Sequence, residues 1–430
     1  MYFTSFFVYK CQEEIRMKMR LMLVGSGAVG HCIIKQLLKR DPNYDWFEYA
    51  LLCDIQVEHA KQIIDDCKDR RLEYASVDAT NTQQMVDLIK EHGITFVLDA
   101  ASPFCANYIF DATFQAKADY ANLGTWSVPM KHPKYGKGIE NSYDEVMTAY
   151  NFDRHEAWKE QGNTALLCLG IDPGVVNVFA KYLCEYEFDT VEQLHVKDGG
   201  NLSIPNASPD DISFGFNVWT VLDEVMNPNV EYVNGEYIVE PAFAGQEEFD
   251  MPEVGLNTLV KVEHEETVTM PKYLSKYGLK NCTFKISLDE NLIQALKVLD
   301  KLNLNTIEPV KVKNTMVVPR DVIAACAPQP ADITEMTGSM IVGVYAVGVK
   351  DGKEKKVMMY QKFSQEEAME KFGLQAVVAQ TGFGAAIAIE LYEKGIYRQP
   401  GVYSLEAFDP IPYLNIMKET NFHYDIKTYE

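Results

Sequence analysis

Two short stretches hold residue types whose spacing could do chemistry. The first is Gly25-Ser26-Gly27-Ala28-Val29-Gly30, a G-x-G-x-x-G that follows the apolar run Leu21-Met22-Leu23-Val24 and precedes Ile33, Ile34, Leu37 and Leu38 at helical spacing. Strand, glycine turn and helix in that order make a dinucleotide site. Gly25 lets the chain turn off the strand, Gly27 leaves bare backbone for a pyrophosphate, and Gly30 allows the helix close to the sheet. The helix N-terminus then offers unpaired N–H groups and a positive dipole end. A second apolar run, Tyr49-Ala50-Leu51-Leu52-Cys53, ends at Asp54, whose carboxylate suits the adenosine ribose hydroxyls. Asp54 also repels a 2′-phosphate, and no Arg or Lys follows before Lys61, so these residues favour NAD over NADP.

The second stretch is Asp172-Pro173-Gly174, reached from the buried run Thr164-Ala165-Leu166-Leu167-Cys168-Leu169. It falls at the carboxyl end of a strand, the edge where open α/β sheets bind ligands. Pro173 restricts Asp172 to extended backbone, from which its carboxylate could project into a cleft, although Asp-Pro-Gly alone more often marks a turn. Two further edge loops belong to the same reading. Asp78-Ala79-Thr80-Asn81 is expected on the adenine side and Asp99-Ala100-Ala101-Ser102 beside the nicotinamide, with a helix N-cap the competing role for each.

The elements that must carry these residues alternate. After Asp54, helix is expected from Ala60 to Cys67, strand from Leu72 to Val77, helix from Met85 to Lys90, strand from Ile94 to Leu98, helix from Tyr108 to Gln115 and strand from Tyr120 to Leu123. This predicts an α/β, Rossmann-type doubly wound parallel sheet. Residues 124–151, with Pro129, Pro133, Gly136 and Gly138, break the pattern as a long irregular insert, expected to be a lid or interface. From Val191 to about Gly373, Thr, Val and Tyr alternations with Asn234-Gly235 and Asp351-Gly352 predict a second, α+β domain with an antiparallel sheet. The small-residue helix around Thr381-Gly382-Phe383-Gly384 is expected to return to the first domain. The division is therefore 1–18 as an N-terminal extension, 19–185 for the dinucleotide, 186–373 for substrate and dimerisation, and 374–430 packing back.

A length of 430 residues calls for two domains, and 47% apolar with 24% charged residues is ordinary for a soluble protein. The net charge of −22 argues against a nucleic-acid or anionic-membrane partner. Nine scattered cysteines without C-x-x-C read as reduced residues of a cytoplasmic protein, and no His/Cys spacing predicts a metal. No apolar run reaches transmembrane length. His264-Glu265-Glu266 reads as a solvated strand edge more readily than as acids near an ammonium group, and Arg320 in Pro319-Arg320-Asp321 as a carboxylate anchor or a helix-start ion pair. A short-chain dehydrogenase is disfavoured because no Y-x-x-x-K occurs.

The glycine turn, the mid-chain Gly170-Ile171-Asp172-Pro173-Gly174-Val175-Val176-Asn177-Val178-Phe179 and Lys197-Asp198-Gly199-Gly200 together resemble the saccharopine dehydrogenase family. The likeness runs over nearly the whole chain after Met19. Val349-Lys350-Asp351-Gly352-Lys353-Glu354, Thr381-Gly382, Gly401-Val402-Tyr403 and Phe408-Asp409-Pro410 look most like its carboxynorspermidine branch. The resemblance implies hydride transfer between a nicotinamide, usually NADPH, and a carbon bonded to nitrogen in a lysine- or polyamine-derived amino acid. It also implies an acid–base role for Asp172, with Gly199, Gly200, Asn217 and Trp219 on the substrate side and a small amine or amino acid as partner. Trp219 falls where saccharopine reductases carry a carboxylate-gripping arginine, which an indole cannot copy. Lysine 6-dehydrogenase or homospermidine synthase-like activity, or a non-catalytic dinucleotide sensor, are the alternatives, and a homodimer is the expected assembly.

Overall fold

The alternation from Met19 onward builds a parallel sheet because each apolar strand is followed by a helix that returns the chain to the same edge. The computed structural model describes residues 18–125, 146–205, 208, 211–306, 308–328 and 335–430. The expected extension before Lys18 and most of the 124–151 insert lie outside the described residues. In chain order the first strands are β1 (Met19–Val24), β2 (Phe47–Asp54), β3 (Leu72–Ser76), β4 (Phe96–Asp99), β5 (Asp119–Asn122) and β6 (Thr164–Leu167). Gly401–Ser404 adds a seventh, giving the order Gly401–Ser404, β6, β5, β4, β1, β2, β3 with every neighbour parallel. The strand order reverses between β1 and β4. That places the glycine turn beside the Asp99 loop, at the crevice where such sheets bind ligands.

The second sheet is centred on β7 (Thr190–Gly200). On one side β7 pairs antiparallel with Ser339–Lys350, and on the other it pairs parallel with Asn281–Ser287. The sheet is therefore mixed where an antiparallel one was expected. The reason is the connection: residues 201–280 carry helices and further strands between the two partners, and a crossover of that length permits parallel pairing that a hairpin does not. Both sequence-marked hairpins form. Asn234-Gly235 joins Asn229–Val233 to Glu236–Glu240, and Asp351-Gly352 joins Ser339–Lys350 to Lys353–Ser364, with positive φ at all four turn residues.

Residues after Gly373 serve both sheets. The helix Ala376–Glu393 is apolar all round and almost wholly buried against α1 (Ala28–Arg40). Gly382 permits the contact, since a Cβ there would sit 2.5 Å from Cys32 Sγ. Arg40 grips Glu390 with two nitrogens at 2.5 and 2.7 Å. Gly401–Ser404 then joins the first sheet, whereas Asp425–Tyr429 pairs with Lys353–Ser364 in the second. No single helix among the described residues is long and apolar enough to cross a membrane.

Candidate active site

Dinucleotide geometry begins where β1 ends. Gly25 has φ +96°, and a Cβ on it would lie 2.4 Å from the carbonyl oxygen of Ala100, so only glycine lets the two edge loops touch. A Cβ on Gly30 would meet Gly25 O at the same distance. At Gly27 nothing lies within 4 Å of the missing side chain, and no side chain caps the helix that starts at Ala28. The first N–H groups of α1, around Ala28 and Val29, thus face open space, the arrangement that fits a pyrophosphate. Asp54 closes β2 with its Oδ2 accepting the Ser26 amide at 2.8 Å and its Oδ1 accepting that of Gln56 at 2.9 Å.

The other edge loops are held locally. Asp78 accepts the amide and hydroxyl of Thr80, and Asn81, not Asp78, caps the following helix through Gln84 N. Ala79 is half-buried beside them. Asp99 is buried, accepting Ala101 N and the Tyr120 hydroxyl, each at 3.0 Å, and burial pushes its carboxyl up to about 7. Ser102 heads a short helical turn without a side-chain cap.

Asp172 follows β6 on a loop that glycine alone can close. Gly174 has φ +144°, and a Cβ there would fall 2.1 Å from Gly170 O. Asn177 fixes this turn, its Oδ1 accepting Gly174 N at 2.6 Å while its Nδ2 donates to Glu406 Oε1 at 2.6 Å and Thr269 Oγ1 at 3.1 Å. On the neighbouring strand, Asn122 accepts Cys168 N at 2.8 Å and so sets where β6 ends. Asp172 itself is half-buried.

Around Asp172 the second sheet and its helices gather acids. Asp198 projects from β7, Glu224 from the helix Val218–Met226, and His264, Glu265 and Glu266 from the segment that opens the helix Glu266–Leu274. All three of the last residues are buried, with Glu266 fully so. The expectation of a solvated strand edge for His264-Glu265-Glu266 is therefore wrong. The physical reason is local: His264 stacks on the Phe284 ring at 3.7 Å between centroids, which draws the run inward, and Thr125 donates its amide and hydroxyl to Glu265 Oε1 at 2.7 and 3.1 Å. His264 Nδ1 lies 2.5 Å from Glu266 Oε2, and its Nε2 lies 3.8 Å from Glu224 Oε1.

Electrostatics follow from that crowding. Burial raises the Asp172 carboxyl well above its ordinary range, and Asp198, Glu266 and Glu224 push it further while His264 opposes. Burial likewise lifts Asp198 to about 7 and Glu224 to about 8. Burial works against charge on His264, yet Glu266, Glu224 and Glu265 together hold it well above the usual histidine range. His264, Glu265 and Glu266 bring ligand atoms within 4.8 Å of one another. They do not make a good metal set, because His264 Nδ1 is already paired with Glu266 Oε2 and Glu265 is already engaged by Thr125.

The residues expected on the substrate side sit differently. Side chains alternate along β7, so the Gly199 position faces Asn257, Met251 and Leu259, opposite to Asp198. Gly200 donates its amide to Asn257 Oδ1 at 2.8 Å. Asn217 uses its Oδ1 to cap the helix Val218–Met226 through Thr220 N at 3.2 Å, and Trp219 is half-buried against the main core. From that helix it is Glu224 that reaches the acid cluster. Arg320 is 2% exposed and pairs with Asp223 at 2.8 Å, within the second domain. Asp198 lies inside Lys197-Asp198-Gly199-Gly200, and the alternation of β7 sets it on the face opposite Gly199. Nothing in sequence spacing joins Glu224 to Asp172, whereas Asn177 stands five residues after Asp172 in the same mid-chain run.

Two family models match the chain in succession. The saccharopine dehydrogenase NADP binding domain matches residues 21–166, and the saccharopine dehydrogenase C-terminal domain matches residues 170–423. The chain belongs to the saccharopine dehydrogenase family. As a member it is a saccharopine dehydrogenase-like oxidoreductase whose cofactor is a nicotinamide dinucleotide. Its curated relatives include the carboxynorspermidine synthase of Vibrio alginolyticus, 27% identical over 96% of this chain and 98% of that one. Another is the carboxyaminopropylagmatine dehydrogenase of Synechocystis sp., 25% identical over 92% and 94%. Among solved structures, the L-Glu-forming saccharopine dehydrogenase of Saccharomyces cerevisiae has a TM-score of 0.67 at 12% identity, covering 96% of this chain and all of that one, a likeness of fold.

Proposed function

We propose that this oxidoreductase reduces the imine formed between an amine and a carboxylate-bearing aldehyde, making the secondary amine of a polyamine-derived amino acid of the carboxynorspermidine kind. The observation that carries the reading is Asp172, half-buried at the carboxyl edge of the first sheet, with a carboxyl raised by burial and surrounding acids. Such a group keeps its proton more readily than an ordinary carboxylate and can give it up to a reacting hydroxyl. The amine adds to the aldehyde carbon, and Asp172 protonates the carbinolamine hydroxyl as water leaves. The carboxylate left behind stabilises the iminium cation. A bound reduced nicotinamide supplies the hydride to that carbon.

Saccharopine formation is the less favoured member of the class, because no arginine stands at Trp219 and Arg320 is occupied by Asp223. For the cofactor, Asp54 supports NAD: it holds the Ser26 amide, and the exposed Ile55 after it brings no cation for a 2′-phosphate. We read the assembly as a homodimer through the face of the second sheet that carries Phe249, Tyr345 and Tyr429. The eight cysteines among the described residues are all free thiols, in keeping with a reducing cytoplasm. The deciding experiment is nicotinamide absorbance with NADH or NADPH, aspartate semialdehyde and either 1,3-diaminopropane or 1,4-diaminobutane. Oxidation of the cofactor that needs both carbon substrates supports the reading. Oxidation only with aminoadipate semialdehyde and glutamate overturns it.

A further inference from the structure

Two strand edges of the second domain are open among the described residues, and they differ in charge. Glu236–Glu240 pairs antiparallel with Asn229–Val233 on one side and with no described strand on the other. Its centre is apolar, with Tyr237, Ile238 and Val239 at 49, 39 and 41% exposure. The other edge belongs to a ribbon of Val310–Val312 and Thr315–Val317, which pair with each other and with no further described strand. On the ribbon Val310, Val312 and Met316 are 37, 47 and 59% exposed. A two-stranded ribbon is marginal in water on its own, and an exposed apolar edge is a template for another strand.

Charge decides what fits each edge. Residues 309–318 hold Lys311 and Lys313 and no acid, in a chain of net charge −22. Glu236 and Glu240 bound the opposite edge, and Glu240 already meets Lys261 at 2.5 Å, which leaves Glu236 to receive a lysine. Side chains alternate along both strands, so Lys311 stands on the face opposite Val310 and Val312, and Glu236, Ile238 and Glu240 on the face opposite Tyr237 and Val239. Laid edge to edge, the joined strands would carry the lysine beside the acids on one face and the valines beside Tyr237 and Val239 on the other. Antiparallel pairing of either edge with its own copy, centred on Ile238 or on Lys311, would instead set Glu236 against Glu240 or Lys311 against Lys311.

We infer that the ribbon strand Val310–Val312 adds to the Glu236–Glu240 edge of a second copy of this chain, an exchange of arms between two subunits. A two-fold axis repeats the contact in both directions, so both open edges close. Main-chain pairing supplies the affinity, and the match of lysine to acid and valine to aromatic supplies the choice of edge. On either side of the ribbon in the chain, Val298, Leu302 and Val322 are exposed too and offer further apolar surface. The contact uses none of the residues of the sheet face that carries Phe249, Tyr345 and Tyr429, and it rests on neither that reading nor the reductase reading.

The test is sedimentation velocity with light scattering on the full-length protein over a dilution series. The parent should be an assembly of even subunit number. Val312→Asp and Ile238→Asp alter exposed residues, and each should halve the mass while the circular dichroism of the subunit stays that of the parent. Lys311→Glu and Glu236→Lys should each raise the dissociation constant about 3- to 10-fold, and the two on one chain should bring it back near the parent's. A dimer that Val312→Asp turns into a monomer upholds the arm and removes the sheet face as the interface, whereas a tetramer that becomes a dimer upholds both. A mass unchanged by both Asp variants overturns the arm and leaves the sheet face standing. A parent that is monomeric throughout overturns both contacts, and turnover of amine with aldehyde decides the reductase reading separately.

Discussion

Asn177 Nδ2 donates to Glu406 Oε1 at 2.6 Å, joining the helix after the Asp172 turn to a residue 229 positions further along the chain. Because the same side chain accepts Gly174 N, the turn that presents Asp172 is pinned by the C-terminal segment and, through Thr269, by the second domain. Asn177→Asp keeps the acceptor for Gly174 but sets a carboxylate against Glu406. Steady-state kinetics should show kcat falling by about 10- to 100-fold with nucleotide Kd unchanged, and Asn177→Asp with Glu406→Gln should recover part of it.

Asp172→Asn removes the transferable proton while keeping shape. Turnover should drop by about 10²- to 10⁴-fold, with dinucleotide binding, read by fluorescence titration, left within a few-fold of the parent. Surviving turnover would move the proton transfer to another group.

Cofactor choice tests the Asp54 contact. NADH should exceed NADPH in kcat/KM by about tenfold or more, and Asp54→Ser with Ile55→Arg should reverse the order by taking away the repelling carboxylate and adding a cation at an exposed position. Equal rates with both cofactors in the parent would remove Asp54 from the choice.

Stability should depend on pH in a definite direction. Asp198 and Glu224 hold their protons to about 7 and 8 in the folded state, and Asp172 and Glu266 are raised as well, whereas unfolded carboxyls titrate near 4. The folded chain therefore binds more protons between about pH 4 and 8, and stability from these groups is present below that window and lost as pH rises through it. His264, raised by its acids, loses its contribution in the same direction, while His195 and His31, lowered by burial, oppose it. Urea unfolding at pH 5, 6, 7 and 8 should show stability falling. In Glu224→Gln the slope should be smaller by up to about 1.4 kcal/mol per pH unit, the value of one proton.

Gly174→Ala should cost about 3 kcal/mol by the same assay, since the new Cβ must displace the Gly170 carbonyl and hold a positive φ. A neutral result would mean that the Asp172 loop relaxes freely.

How much of this was legible beforehand follows from the range of each interaction. The first sheet could be read because every βα unit announces itself within about 15 residues: an apolar run, a glycine or acid at the turn, then helical spacing. Both hairpins were legible for the same reason, in Asn234-Gly235 and Asp351-Gly352. Asp172 was legible through its motif and its place after β6. The acids that raise its carboxyl were not, because Asp198, Glu224 and Glu266 meet it only through the packing of two domains. A charged triplet such as His264-Glu265-Glu266 looks the same in sequence whether water or Phe284 lies against it. The parallel pairing of β7 with Asn281–Ser287 was hidden likewise, since strand direction is decided by the path between strands.

The outermost strand on one side of each sheet comes from residues 401–429: Gly401–Ser404 borders the first, and Asp425–Tyr429 the second. During synthesis neither domain can complete itself as the chain emerges, however early its other strands are available. Both lack their border strand until this stretch has left the ribosome, and the two gain it almost together. A chain ending before residue 401 would lack a border strand in both sheets at once, leaving β6 and Lys353–Ser364 as the strands open to pairing with another chain.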